Sequence, residues 1–148
     1  MEEGNRNRGS GRVLALDLGK KRIGLAISDP LGVTAQGLET MERGNVRGDV
    51  AGLAGLIAER GVSLILMGKP LHMSGLEGRQ VAWTRDFGER LSKATGVPVE
   101  FRDERLTTVQ AERVLREGGV RLREDRARSV DRLSAVLLLQ DYLDSRRV

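Results

Sequence analysis

The chain has 148 residues, 39% hydrophobic and 31% charged, with a formal net charge of +4 at pH 7. That length predicts one domain, able to bury roughly 68–70% of its unfolded surface without staples. With no cysteine and one histidine, His72, it excludes disulfides, zinc–thiolate and iron–sulfur sites and cysteine nucleophiles, and it supplies a serine–histidine triad poorly.

Residues 1–11, MEEGNRNRGSG, hold no apolar residue after Met1 and predict a disordered tail ahead of a domain over 12–145. The tail carries no apolar secretory core, which predicts a cytoplasmic protein. Arg12–Leu18 (RVLALDL) is a short apolar run closing on an acid, and it reads as a buried strand. Ile23–Ser28 (IGLAIS) is a second run, stopped by Asp29-Pro30; the pair around Gly19 and Gly24 reads as a hairpin. Val33–Thr40 is a shorter, more polar third strand. The period then changes: Val50, Leu53, Ala54, Ile57 and Ala58 fall at helical spacing, with Gly61 as the stop.

Val62–Met67 (VSLILM) is a continuous apolar run of the kind buried on both faces. Glu77–Thr95 carries Val81, Trp83, Thr84, Phe87 and Leu91 at roughly helical spacing and ends at Gly96. Val97–Phe101 is a short strand running into Arg102-Asp103-Glu104-Arg105. Thr107 or Thr108 caps a helix through Arg116, closed by Gly118-Gly119. Ala127–Ser145 is the longest helical pattern. Its apolar run Ala135–Leu139 is far too short to span a membrane. The order β-β-β-α-β-α-β-α-α predicts an α/β fold: a mixed five-stranded sheet, three antiparallel strands and then αβ units, flanked by helices.

All but four of the 25 basic residues are arginine. The guanidinium fork matches phosphate, and a basic domain attracts nucleic acid; a GC-rich coding sequence gives the same bias. Acids fall at element ends. Asp17 closes the first strand, Asp103 and Glu104 follow the last, and Asp131 opens the final helix beside its apolar face. Ligands collect at strand ends in such sheets. Carboxylates that converge without His or Cys suit hard cations such as magnesium. Two such ions about 4 Å apart clamp both oxygens of a phosphodiester displacement. Taken singly, each acid has a plainer reading. Asp17 is a turn former, Asp103-Glu104 pairs with Arg102 and Arg105, and Asp131 complements the helix dipole. Between the first two strands, Lys20, Lys21 and Arg22 put positive charge beside Asp17, where Gly19 permits close backbone approach to a phosphate.

Four segments carry a resemblance. Ala15–Pro30 (ALDLGKKRIGLAISDP) resembles the opening motif of the YqgF/RuvX family of Holliday junction resolvase-like nucleases. Gly68–Gly75 (GKPLHMSG) is similar to its glycine–proline loop, although Leu71-His72-Met73-Ser74 replaces the usual Asn before Met and Asp after it. Asp103–Thr108 (DERLTT) resembles its DERxTT motif. Val130-Asp131, Ala135 and Leu139–Asp144 resemble its C-terminal helix signature. The match runs from about Arg12 to Asp144.

The resemblance implies a ribonuclease H-like fold and a metal-dependent nuclease of structured nucleic acid. The implied substrate is the 5′ end of pre-16S ribosomal RNA, in ribosome biogenesis on pre-ribosomal particles. Asp17, Glu104 and Asp131 become the acidic catalytic and metal-binding set, with Asp103 in reserve, for Mg2+ or Mn2+ and two ions. Lys20, Lys21, Arg22 and Arg105 become the phosphate-binding residues. Junction resolvases of this fold usually carry an acid at the end of the fourth strand, where this chain has Met67-Gly68-Lys69. Three other readings compete: a Holliday junction resolvase in DNA recombination, for which a homodimer suits the two-fold junction better than a monomer; a non-catalytic RNA-binding assembly factor; and an actin-like ATPase, which needs two such domains.

Overall fold

The computed structural model describes residues 11–69, 76–103 and 123–146. The elements run β1 (Arg12–Leu18), β2 (Arg22–Ser28), β3 (Ala35–Gly37), β4 (Met41–Glu42), α1 (Val46–Arg60), β5 (Val62–Lys69), α2 (Leu76–Thr95), β6 (Val99–Asp103) and α3 (Arg123–Arg146). The tail over 1–10 and the helix expected from Thr107 or Thr108 to Arg116 lie outside the described residues.

One mixed sheet organises the chain, in the order β3-β2-β1-β5-β6, with β4 also on β2. β1 pairs antiparallel with β2 and parallel with β5, and β6 extends the parallel side. The expected third strand, Val33–Thr40, shortens to β3, and a further strand, β4, follows it, which makes six rather than five. Both pairs lie on β2, but Leu38, Glu39 and Thr40 stand opposite only Leu25 and Gly24. One extra residue against two is a bulge, which interrupts a ladder and sharpens its twist.

Strand alternation sorts the core into two layers. Leu14, Leu16 and Leu18 of β1 join Ile23, Leu25 and Ile27 of β2 and meet Leu53 and Ile57 of α1 and Phe87 and Leu91 of α2. The intervening residues are small: Ala15 pairs with Ala26, and both pack under α3 with Leu66, Ala135, Leu138, Leu139, Tyr142 and Leu143. Small side chains on that face let the long helix lie close to the strands.

Local chemistry explains the helix ends. Asn45 caps α1 by accepting from the Gly48 N–H at 2.7 Å, and Gly61 ends it at φ 66°, which favours glycine. α3 is tied to both sides of the sheet. Gln140 accepts from the Ala35 N–H at 2.9 Å and donates to the Val33 carbonyl at 3.0 Å. On the other side Arg102 of β6 donates to Asp141 at 3.1 Å. Among the described residues no helix is long and apolar enough to cross a membrane.

Candidate active site

Asp17 lies one residue from the C-terminal end of β1. It shares the parity of Ala15 and so belongs to the face that carries α3. Its cross-strand partner is Gly24. That glycine is where the helix touches the sheet. A Cβ built there lies 2.0 Å from the Asp131 carbonyl oxygen and 2.4 Å from its carbon, so only a residue without a side chain admits the α3 backbone. The contact brings Asp131 to Asp17 across more than a hundred residues of chain.

The electrostatics report the meeting. The Asp131 carboxyl is pushed up to about 6, first by burial, then by the negative charge of Asp17, with Arg22 opposing both. Arg22 shares the parity of Gly24 on β2, so Asp17, Asp131 and Arg22 form one cluster. The Arg22 guanidinium is mostly buried and its Nε lies 3.6 Å from Glu42 Oε2. It is thus drawn into the protein, while Lys20 and Lys21 stand exposed in the turn.

Gly19 serves the hairpin turn that the sequence suggested. Its N–H donates to the Arg22 carbonyl at 2.9 Å, and a Cβ there would meet that same oxygen at 2.9 Å. The glycine closes the turn, and its N–H is already engaged. Asp103 shares the parity of Val99 and Phe101, which pack toward α1 and α2. Strand alternation therefore assigns it to the face opposite Asp17. Glu104 and Arg105 lie outside the described residues, as does the loop over 70–75. Among the described residues no group of three or more His, Cys, Asp or Glu is placed to hold a metal ion.

Two important residues escaped the motif reading. Gly24 was legible only as a glycine inside a strand, a general sign of close backbone approach. Arg43, between β4 and α1, belongs to no motif. Its Nη1 nevertheless donates to the Gly19 carbonyl at 2.8 Å.

The raised Asp131 carboxyl has a consequence for stability. A folded-state value above the ordinary 3.8 means the folded protein holds this proton more tightly than the unfolded chain. The contribution is full below about pH 4 and is lost as pH rises through about 6. In EDTA, the melting temperature of Asp131→Asn relative to the parent should therefore climb between pH 4 and pH 7, then level. Parallel melting curves across that window would show that Asp131 is not perturbed.

The RuvX family model, described as Holliday junction resolvase, matches residues 11–145. A Koribacter versatilis protein named "Putative pre-16S rRNA nuclease" is 48% identical over 138 residues, covering 93% of this chain and 90% of its own. A protein of the same name from Lactococcus lactis subsp. cremoris is 47% identical over 136 residues, covering 90% and 94%. Among solved structures, Thermus thermophilus RuvC in complex with Holliday junction substrate superposes with a TM-score of 0.60 at 16% identity, covering 92% of this chain and 95% of that one. This likeness establishes the ribonuclease H-like fold.

Proposed function

The chain belongs to the RuvX family, and from that premise we propose that it is a divalent-metal-dependent nuclease that trims the 5′ end of pre-16S ribosomal RNA on cytoplasmic pre-ribosomal particles. The observation that carries the reading is the pairing of Asp17 with Asp131 over Gly24. The negative charge of Asp17 raises the proton affinity of Asp131, and a hard cation between two such carboxylates relieves their repulsion. The donors are oxygens without imidazole or thiolate, which fits Mg2+ or Mn2+.

In this reading Asp17 and Asp131 hold the metal, with Glu104 as third ligand. Glu104 is favoured over Asp103 because Asp103 has the parity of the other face. Bound there, two divalent ions supply the Lewis acidity for in-line phosphodiester hydrolysis. Arg22 lowers the cost of keeping two acids ionised side by side. Lys20, Lys21 and Arg105 hold phosphates of the strand, positioning it without reading its bases.

A labelled pre-ribosomal RNA 5′ fragment and a four-way DNA junction, incubated side by side with Mg2+ or Mn2+ and with EDTA, test the proposal. Metal-dependent trimming of the RNA supports it. Metal-dependent cutting of the junction alone supports the second reading, a resolvase, which the family description favours. Binding with no cutting of either substrate identifies a non-catalytic assembly factor.

The exposed lysines make a separate expectation. Removing Lys20 or Lys21 should lower the slope of log K against log [salt] by about 0.7–0.9 each. Preference among substrates should be unchanged. An unaltered slope in Lys20→Ala/Lys21→Ala would remove this turn as the phosphate contact.

A further inference from the structure

Arg43 is a buried cation in the short connection between β4 and α1, and nothing in the chemistry above uses it. Its side chain is 8% exposed and that of its ionic partner Asp49 is 5% exposed. The guanidinium carbon lies 4.0 Å from the centroid of the Trp83 ring and 6.0 Å from that of Phe87, both on α2. Its Nε is 3.8 Å from Asp49 Oδ2 on α1, while Asp49 Oδ1 accepts from the Gly44 N–H at 3.0 Å. From this anchorage Arg43 reaches the turn after Asp17 twice. Its Nη1 donates to the Gly19 carbonyl at 2.8 Å, and its backbone N–H donates to the Lys21 carbonyl at 2.9 Å.

We propose that Arg43 is a positioning residue that fixes the Gly19–Arg22 turn, so that Lys20 and Lys21 are presented to nucleic-acid phosphates in a preset arrangement. The proposal rests on the reading of that turn as a phosphate contact.

Three features carry it. The ion pair is loose: Arg43 Nε and Asp49 Oδ2 are both buried and stand 3.8 Å apart, beyond ordinary hydrogen-bond length. A buried pair of that kind contributes little that apolar residues of similar volume would not supply. The hydrogen bonds Arg43 does make go to the two carbonyls that flank Lys20. Finally, ordering a loop on binding is costly. Arg43 holds the backbone beneath the two lysines, which removes that part of the cost before the ligand arrives. Lysine cannot replace Arg43 here, because it lacks the planar fork that stacks on an indole and donates sideways at once.

The test is a double-mutant cycle read by nucleic-acid binding. The anisotropy of a labelled pre-ribosomal RNA fragment is measured for the parent, Arg43→Lys, Lys20→Ala/Lys21→Ala and the combined variant. Arg43→Lys should weaken binding about tenfold in the parent, the size of one lost charge-assisted hydrogen bond. It should change binding less than about twofold where the two lysines are already gone. Trp83 is the only tryptophan in the chain, so its emission reports the stack directly. It should differ between the parent and Arg43→Lys before RNA is added, and in the parent it should change little on binding, because the stack is already formed.

Should Arg43→Lys fail to fold, Asp49→Asn loosens the anchor while leaving an acceptor for Gly44. It should show a smaller loss with the same dependence on the lysines. Equal losses in both backgrounds would make Arg43 merely structural and overturn the proposal. Unchanged binding would overturn it too, leaving the phosphate turn standing. A parent protein that binds no nucleic acid overturns both.

Discussion

Asp17→Asn should reduce metal-dependent cleavage by on the order of 10³-fold or more while leaving nucleic-acid binding intact or tighter. The size follows from the several kcal/mol of transition-state stabilisation that metal-site chemistry supplies, at about 1.4 kcal/mol per tenfold in rate. The direction of the binding effect follows from charge. Asn keeps the shape of Asp and removes one negative charge near the phosphate. The substitution carries an internal control. The charge of Asp17 is the second cause of the raised Asp131 carboxyl, so Asp17→Asn should move that value down toward burial alone. The metal-free protein should then lose less stability as pH rises through about 6. Cleavage within tenfold of the parent would remove Asp17 from the catalytic set. Loss of binding together with cleavage would indicate misfolding or a purely binding role.

The largest structural effect is expected at Gly24. Gly24→Ala places a methyl group 2.0 Å from the Asp131 carbonyl oxygen. That oxygen is helix backbone and cannot swing aside as a side chain would. α3 must lift from β2, at a cost of about 3 kcal/mol or more, which corresponds to a fall of roughly 6–12 °C in Tm at this chain length. The same movement separates Asp131 from Asp17, so divalent-cation binding should weaken along with stability. Two other glycines calibrate the result. At Gly88 a Cβ would meet the Phe101 ring edge at 2.9 Å and Met67 Sδ at 3.1 Å; these side-chain atoms can shift, and the penalty should be smaller. At Gly55, within α1, nothing lies within 4 Å, and Ala should stabilise by about 0.5–1 kcal/mol. A Gly24→Ala protein as stable as the parent would show that the helix does not rest on this glycine.

The elements themselves were legible because each follows from a short-range pattern. The apolar run Arg12–Leu18 gave β1 to the residue, and Gly61 marked the end of α1 because a left-handed cap favours glycine. The position of Asp17 at a strand end was equally local. The third strand was drawn too long and β4 was missed, because both ends depend on the register against β2, where three residues oppose two; the composition of Val33–Thr40 holds no sign of that bulge.

The relation between Asp17 and Asp131 was of another kind. Sequence reading raised their convergence only as a condition on how the strands are ordered, and assigned them to one set through the resemblance to a family of nucleases, since nothing near either residue encodes the other. Their juxtaposition depends on a glycine in β2, on alanines beneath α3, and on Gln140 and Arg102 anchoring that helix at either side of the sheet. Arg43 shows the same limit: it meets Gly19, Asp49 and Trp83 only because β4, α1 and α2 converge behind the turn. Periodicity and capping act within a few residues, and the sequence alone therefore determined most strands, the helices among the described residues and the place of Asp17 near the end of β1, while Asp131, expected at the start of the last helix, lies in the third turn of α3. Which of those acids share a site, and what holds the turn beside them, was decided by backbone-to-backbone packing between segments distant in the chain.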